Sequence, residues 1–270
     1  MELTNELKVS ILQDGIVWES CAANLEYLNN IIPGLAGKTD IIVLPEMFST
    51  GFSMRPHLFA EELNGIAQLK MQEWSTLTGA AVCGSIMVRD GDIFYNRFFW
   101  FEPKPNTQFY DKAHLFRMGE EQLHYNKGVK QLLILYKGWK IAPFVCYDLR
   151  FPVWLRRTHA FNYDLILLVA NWPERRIGHW KALTLARAIE NQAYVAAVNR
   201  IGIDGSGITH SGASCIVSPI GEVIFDAKDQ AVCETIKISK LDLEKYRESF
   251  PVGLDADTFT LNNVCNDFVI

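Results

Sequence analysis

Three residues of reactive type stand near the ends of apolar, strand-like segments. Glu46 follows the run IIVLP, Lys112 lies in FYDK, and Cys146 follows APFV. In an open α/β sheet, ligands gather outside the carboxyl ends of the strands, so these side chains are predicted to converge. A thiol is mostly protonated at neutral pH, and it needs a base or a cation beside it to act as a nucleophile.

Together these side chains have the chemistry of acyl transfer. The Glu46 carboxylate would take the proton of the Cys146 thiol. The Lys112 ammonium would hold that carboxylate and stabilise the oxyanion of a tetrahedral intermediate. The sequence therefore predicts acyl transfer through a thioester, with a carboxylate as the base in place of a histidine.

The elements that must position these residues alternate between strand and helix patterns. In the first half of the chain, Gly79 is expected to end a helix and the pair Asp90-Gly91 to turn a hairpin. The predicted strands are 8–13, 40–45, 80–88 and 94–101, and the predicted helices are 21–32 and about 61–78. The alternation favours a layered α/β fold in which helices cover apolar strands.

The second half repeats this pattern. Its predicted strands are 139–145, 165–169, 193–198, 214–218, 222–225 and 232–238, and its predicted helices are 153–159 and 179–191. Ala182, Leu185, Ala186 and Ile189 are expected on one stripe of the last helix. No linker or short repeat divides the chain, so 1–270 is predicted to be a single domain. Residues 251–270 are predicted to form a C-terminal tail or an interface arm.

Composition excludes several classes of protein. The chain has 270 residues, a net charge of -5 and a pI near 5.7, which argues against a nucleic-acid partner. The first eight residues, MELTNELK, have no apolar core and are not expected to act as a signal peptide, and the apolar stretches are too short to predict a membrane span. The six cysteines are scattered, without disulfide-framework or zinc-ligand spacing. We expect a soluble cytoplasmic protein with no membrane, nucleic-acid or metal partner.

The three reactive residues lie in recognisable motifs. LPEMF around Glu46, DKAHLF around Lys112 and VCYDLRFP around Cys146 resemble the Glu-Lys-Cys motifs of the nitrilase (carbon–nitrogen hydrolase) superfamily. They occur in the family's order, 66 and 34 residues apart, and the likeness continues through ANWP at 170–173 and RAIENQ at 187–192. The resemblance implies a four-layer αββα sandwich, a homodimer or higher homo-oligomer, and no cofactor.

The resemblance also implies roles for the residues. Cys146 corresponds to the nucleophile, Glu46 to the general base and Lys112 to the charge stabiliser. The backbone N–H of Tyr147 would share the oxyanion. The family has a second carboxylate soon after the lysine; Glu120 and Glu121 are both candidates, and the comparison favours Glu121.

Within the superfamily, three segments are most similar to the omega-amidase branch: 45–52, 112–118 and 171–176. That similarity implies hydrolysis of the terminal amide of 2-oxoglutaramate or 2-oxosuccinamate to ammonia and the 2-oxo diacid. The alternative within the superfamily is an amidase or carbamoylase that acts on another small amide; a nitrile is less favoured. Outside it, the alternative is a non-catalytic binding or scaffold protein on the same fold.

A substrate of this kind carries a carboxylate at the end away from its amide, and arginine binds a carboxylate well because its planar guanidinium offers two parallel hydrogen bonds. Arg150 is instead predicted to be structural and paired with Asp148 or Glu190. The substrate-binding candidates are the arginines Arg117, Arg175 and Arg176, with Arg55 as a further possibility, and the aromatic residues Phe48, Phe116 and Trp172.

Other hydrolase chemistries have less support. A papain-like site would pair Cys146 with a histidine and an asparagine such as His179 and Asn199, but the sequence around Cys146 does not favour it. The six histidines lack metal-ligand spacing, so a metal hydrolase is also disfavoured. The glycine-rich segment 202–207 has the wrong order of glycines for dinucleotide binding and is predicted to be a loop.

Overall fold

The computed structural model of the chain describes residues 5–104 and 106–261. The first of two six-stranded sheets contains β1 (Glu6–Gln13), β2 (Ile41–Val43), β3 (Ala81–Asp90), β4 (Ile93–Phe101), β5 (Thr107–Asp111) and β14 (Val232–Ser239). Its spatial order is β14-β1-β2-β3-β4-β5. The three strands β1, β2 and β3 run parallel, and the others are antiparallel to their neighbours.

The second sheet contains β6 (Ile134–Tyr136), β7 (Trp139–Val145), β8 (Leu165–Val169), β9 (Tyr194–Val198), β12 (Cys215–Val217) and β13 (Val223–Asp226). Its order is β13-β12-β9-β8-β7-β6, with β7, β8 and β9 parallel. A separate hairpin is formed by β10 (Ile201–Ile203) and β11 (Thr209–Ser211). Segment 202–207, predicted to be a loop, thus begins inside a short strand and continues into the hairpin turn.

Four helices of ten residues or more accompany the sheets: α1 (Cys21–Ile31), α3 (Ile66–Thr78), α6 (Ile177–Asn191) and α7 (Lys240–Ser249). The short helices are α2 (Pro56–Phe59), α4 (Glu121–His124) and α5 (Pro152–Leu155). Gly79 ends α3 in the left-handed conformation with φ of 71°, as predicted, because glycine adopts this conformation without a steric cost.

Successive side chains of a strand face opposite sides of its sheet and therefore belong to different layers of the core. In β2, Ile41 and Val43 face the core between the two sheets, whereas Ile42 faces the core beneath α1 and α3. On the other side, Trp180 and Ala188 of α6 pack against the second sheet. The order of layers is helix, sheet, sheet, helix, which confirms the predicted αββα sandwich.

Two helix predictions were wrong in detail. The helix predicted at 153–159 ends at Leu155, because Arg156 is extended and the backbone N–H of Arg157 donates to Asn191 Oδ1 at 2.8 Å. In α6 the predicted apolar stripe is not the buried face. Ala182 and Ile189 are exposed, and the face that meets the sheet consists of Trp180, Thr184, Arg187, Ala188 and Asn191. The buried guanidinium of Arg187 is accommodated by the Leu149 carbonyl and Glu190.

Beyond α7, residues Val252–Asp255 form a 3-10 turn, and residues 262–270 of the predicted tail or arm lie outside the described residues. None of the helices in the described part of the chain combines the length and the apolar composition needed to cross a membrane.

Candidate active site

Glu46 lies just beyond the carboxyl end of β2 and is wholly buried. Its Oε1 accepts hydrogen bonds from Lys112 Nζ at 2.8 Å and from Asn96 Nδ2 at 2.7 Å. Its Oε2 accepts the backbone N–H of Asn171 at 2.7 Å, and Asn171 Nδ2 donates to the Glu46 carbonyl. The carboxylate is thus held in one orientation by partners from β4, from the residue after β5 and, across the sandwich, from the segment after β8.

Lys112 follows β5 directly and joins two carboxylates. Its wholly buried Nζ lies 2.8 Å from Glu46 Oε1 and 2.9 Å from Glu121 Oε2. Glu121 is also wholly buried and accepts the backbone N–H of Phe116 at 2.6 Å, whereas Glu120 is exposed. Of the two candidates for the second carboxylate, Glu121 is therefore the one that the structure brings to Lys112.

Asn96 completes this cluster, and sequence reasoning missed it. Its Nδ2 donates to Glu46 and, at 3.2 Å, to Glu121 Oε1, while its Oδ1 accepts the Ser85 hydroxyl at 2.8 Å. It lies on the buried side of β4, within the aromatic run FYNRFFWF. A polar residue at an inward position of such a strand is the signal that would have found it.

Cys146 begins a 3-10 turn immediately after β7. Its φ is 46°, in the left-handed region that a residue with a Cβ rarely adopts, so the turn carries local backbone strain. The side chain is 9% exposed and lines a cavity together with Lys112 and Asn171. The structure thus brings Glu46, Lys112, Glu121 and Cys146 to one place, with the thiol on the side that faces the cavity.

The charges of this cluster perturb one another. The pKa of the Cys146 thiol is raised well above its ordinary value of 9.0, mainly by burial and next by the Glu46 carboxylate, while Lys112 opposes the shift. Burial also raises the pKa of Glu121, against the opposing effect of Lys112. The two carboxylates outweigh burial at Lys112 and raise the pKa of its ammonium. The resting site therefore holds a protonated thiol beside a charged lysine.

This state of the thiol predicts the pH dependence of its alkylation. Because the pKa of Cys146 is raised, the rate of its reaction with iodoacetamide should rise with pH throughout the neutral range and reach no plateau below about pH 9. Peptide mass spectrometry after timed labelling from pH 6 to pH 10 measures the rate at each cysteine. A plateau between pH 6 and pH 8 would contradict this, because it would require a preformed thiolate, as in a cysteine–histidine ion pair.

The cavity above Cys146 has a volume of about 130 Å³. Aromatic walls are supplied by Phe52, Phe116, Tyr147 and Trp172, with the rings of Phe116 and Tyr147 packed edge to face at 5.1 Å. A cavity of this size suits a small acyclic molecule better than a drug-sized one, for which about 300–1,000 Å³ is typical.

Cations dominate the charged lining. Arg150, Arg175 and Arg176 line the cavity beside Lys112, and Asp204 is the acidic residue on the wall. The pKa of Arg176 is lowered by burial and by the charges of Arg175 and Arg150. Among the described residues, none of these three arginines forms an ion pair with a carboxylate, so their charges remain available to an anionic ligand.

Some of the predicted substrate-binding residues lie elsewhere. Phe116, Trp172, Arg175 and Arg176 line the cavity. Phe48 does not, because it packs with Trp74 of α3 in the core on the outer side of the first sheet.

Two of the predicted arginines are also outside the cavity. Arg117 is exposed and lines a different depression, and Arg55 pairs with Glu19 on the surface. Phe48, Arg117 and Arg55 are therefore removed from the set of substrate-binding candidates. These three residues are close to the motifs in sequence, but their side chains contact other parts of the molecule.

Arg150 was predicted to be structural, but it lines the cavity. It pairs with neither Asp148 nor Glu190; its guanidinium lies over the Trp172 ring at 4.6 Å and contacts His179 Nδ1 at 3.2 Å. His179 and Asn199, the residues of the papain-like alternative, do not line the cavity with Cys146. Asn199 is instead occupied with the backbone of Trp172.

The β10–β11 hairpin supplies a wall that sequence reasoning also missed. Asp204, Ser206, Ile208 and His210 face the cavity, although they follow Cys146 by about sixty residues. The pKa of His210 is lowered by burial and by Arg200. Within the described residues, no group of three or more histidine, cysteine, aspartate or glutamate side chains is arranged to hold a metal ion.

Comparison with known proteins agrees with this geometry. Residues 8–249 match the family model described as carbon-nitrogen hydrolase. The omega-amidase YafV of Escherichia coli K12 is 44% identical over 260 residues, which cover 94% of this chain and 98% of that protein. The 2-oxoglutaramate amidase of Bacillus subtilis is 31% identical over 247 residues, covering 90% of this chain and 95% of that protein.

Solved structures share the fold. XC1258 from Xanthomonas campestris, described as a CN-hydrolase superfamily protein with an arsenic adduct in the active site, superposes with a TM-score of 0.94. It is 39% identical and covers 96% of this chain and 100% of its own. Saccharomyces cerevisiae Nit3 has a TM-score of 0.81 at 21% identity, covering 93% of this chain and 96% of its own, which supports the fold alone. This chain therefore belongs to the carbon–nitrogen hydrolase family and is a hydrolytic enzyme of that family.

Proposed function

We propose that the enzyme hydrolyses the terminal amide of a 2-oxo dicarboxylic acid monoamide, such as 2-oxoglutaramate or 2-oxosuccinamate, to the 2-oxo diacid and ammonia. The observation that carries the proposal is a buried Glu46–Lys112–Glu121 cluster beside Cys146, in a small cavity with three arginines that have no acidic partner within residues 5–104 and 106–261. Similarity over most of the chain to an omega-amidase and to a 2-oxoglutaramate amidase supports the choice of substrate.

Acylation begins when the Glu46 carboxylate takes the thiol proton as Cys146 Sγ attacks the amide carbon. The protonated thiol and the fixed orientation of Glu46 favour this role, since a base must lie within reach of the proton that it removes. The tetrahedral oxyanion is stabilised by Lys112 Nζ and by the backbone N–H of Tyr147. Glu46 then returns its proton to the nitrogen, the C–N bond breaks, and ammonia leaves a thioester on Cys146.

Deacylation uses the same groups on a water molecule. The oxygen of the water molecule attacks the thioester carbon while Glu46 accepts a proton from that water. Glu46 then gives the proton to Sγ when the C–S bond breaks. Glu121 keeps the Lys112 ammonium in place, because each of the two carboxylates holds a hydrogen bond to Nζ. The released product is the 2-oxo diacid, and the enzyme returns to its starting protonation state.

Ammonia release from a panel of amides tests the substrate. The wild-type enzyme should turn over 2-oxoglutaramate with a kcat/KM at least about 100-fold above those for glutamine, propionamide and a simple nitrile, because those compounds lack the charge pattern of the oxo-acid end. Coupled glutamate dehydrogenase measures the ammonia. Turnover confined to the other amides would keep the family chemistry and overturn the proposed substrate.

Substitution of a cavity arginine should weaken the binding of substrates that carry a carboxylate and leave other amides unaffected. Arg176→Met should raise KM for 2-oxoglutaramate by about 10- to 100-fold, the range expected for losing a charged hydrogen bond of about 1.5–3 kcal/mol. It should leave propionamide, which has no carboxylate, within about threefold of wild type. The matched control is Arg117→Met, because Arg117 is exposed and outside the cavity. Equal KM values for the oxo-amide in wild type and Arg176→Met would show that Arg176 does not bind the substrate carboxylate.

We also propose that residues 1–270 act as one domain and assemble as a homodimer or higher homo-oligomer. The core shared by both sheets supports the single domain. Exposed apolar side chains support self-association: Ile189 of α6, which lies beside Gly221 of the β12–β13 turn, is 46% exposed. Ile220 in the same turn and Val223 at the start of β13 are 58% and 52% exposed. An apolar face of this kind is typical of an interface.

A further inference from the structure

One buried carboxylate of the site takes no part in the proposed chemistry. Asp148 lies two residues beyond Cys146 in the same 3-10 turn and is wholly buried. It accepts four hydrogen bonds: Tyr110 Oη at 2.7 Å and Val145 N at 3.0 Å reach Oδ2, whereas His114 N at 2.9 Å and His114 Nδ1 at 2.8 Å reach Oδ1. A buried carboxylate with four donors is a fixed anchor, because losing any one of them would leave a polar atom unsatisfied.

These donors come from two different sheets. Tyr110 belongs to β5 of the first sheet, and His114 lies two residues beyond Lys112 on the segment that leaves this strand. Val145 is the last residue of β7 in the second sheet, directly before Cys146. Asp148 therefore ties the segment that carries the lysine to the turn that carries the thiol, across the interface between the sheets.

The other contacts of His114 and Tyr110 fix them as well. The His114 imidazole is stacked on Phe151 with ring centroids 3.8 Å apart, and it meets the edge of Trp154. The Tyr110 hydroxyl accepts Trp154 Nε1 at 2.9 Å. The Asp148 carboxylate is wholly buried in this network, whereas the His114 side chain is 26% exposed.

The turn needs such an anchor because Cys146 has a φ of 46°. A residue in this strained conformation persists only where its surroundings hold it, and relaxation of the turn would move Sγ relative to Lys112 and Glu46. We infer that Asp148, held by His114 and Tyr110, is a positioning residue that sets the distance between the Cys146 thiol and the Lys112–Glu46 pair. The inference rests on the proposed role of Cys146 as nucleophile.

Variants at His114 test the inference. His114→Ala removes the side-chain donor, and His114→Asn restores one, because the asparagine amide nitrogen occupies nearly the place of Nδ1. Alanine should lower kcat and the rate of Cys146 alkylation by iodoacetamide by about 10- to 100-fold, as expected when reacting groups are misplaced by about 1 Å, and change KM by less than about threefold. Asparagine should recover both rates to within about threefold of wild type. His57→Ala, at an exposed position of α2, is the matched control and should change neither rate.

The readouts separate positioning from simple support of the fold. Each rate is measured well below the melting temperature of the variant, so a structural role alone would lower that temperature and leave both rates unchanged; this result would overturn the inference. If His114→Ala does not fold, Tyr110→Phe makes the same test. The inference predicts that both rates fall by about 10-fold or more, and unchanged rates would overturn it.

Alkylation of the wild-type enzyme also separates this inference from the proposed function. If complete alkylation of wild-type Cys146 leaves amide hydrolysis unchanged, the proposed nucleophile fails and the positioning role fails with it. If alkylation of Cys146 abolishes hydrolysis and His114→Ala is alkylated as fast as wild type, the positioning role alone is overturned.

Discussion

Cys146→Ala should lower amide hydrolysis by roughly 10⁴-fold or more, to the background of the uncatalysed reaction, because no thioester can form without the thiol. The substitution removes one sulfur atom at the edge of the cavity, where the side chain is 9% exposed, so the fold should tolerate it. Ammonia release from 2-oxoglutaramate measures the loss, and the melting temperature of the variant should stay within a few degrees of wild type.

The matched control is Cys215→Ala. Cys215 is also buried, and burial raises the pKa of its thiol to about 12, but it lies on β12 and does not line the cavity. This variant should keep full activity. A Cys146→Ala enzyme that retains more than a tenth of wild-type activity would refute the nucleophile and favour the non-catalytic reading of Cys146.

Lys112→Met should be the most destabilising substitution in the site. Methionine fills a similar volume, but it leaves Glu46 and Glu121 facing each other with no cation between them. Removing one partner from a buried ion pair typically costs about 3–5 kcal/mol of the free energy of unfolding, because the remaining charge stays desolvated. Loss of the oxyanion stabiliser should also lower kcat by about 10²- to 10³-fold.

The cost of Lys112→Met should depend on pH in a defined direction. In the wild-type protein the raised pKa of Lys112 contributes stability below its ordinary value of 10.5, and this contribution is lost as pH rises through the folded value. In the variant the pKa of Glu121, already raised by burial, loses the opposing effect of Lys112, so this carboxyl group binds a proton as pH falls and the repulsion is relieved. Urea denaturation should therefore give a smaller difference between wild type and variant at pH 5 than at pH 8.

Lys70→Met is the control for this measurement. Lys70 Nζ and Glu73 Oε2 are 2.7 Å apart, close to the distance in the buried pair, but they lie on the surface. An exposed pair of this kind contributes about 1 kcal/mol or less. Equal stabilities of Lys112→Met and Lys70→Met at pH 8 would contradict the view that buried charge at Lys112 holds the site together.

Much of the fold could be predicted because the strands are strongly apolar. β8 lies at 165–169 as predicted, and all five of its residues are buried, so the pattern of the sequence and the environment in the fold coincide. The α6 stripe failed for the opposite reason. Its apolar residues Ala182 and Ile189 are exposed, while Thr184 and Arg187 are buried and their polar groups find local partners. Periodicity alone cannot identify which side of a helix meets the sheet when such partners are available.

The sequence by itself determined the strand–helix alternation and the three reactive residues, because strand ends and motif spacing are local properties of the chain. Only the tertiary structure decided which further side chains join them. Asn96 enters from β4, Asp204 and His210 enter from the hairpin, and Phe48 turns into the core instead of the cavity. These assignments depend on the direction of each Cα–Cβ bond after two sheets have packed face to face. That direction is set by contacts between residues far apart in the chain, and spacing along the sequence does not contain it.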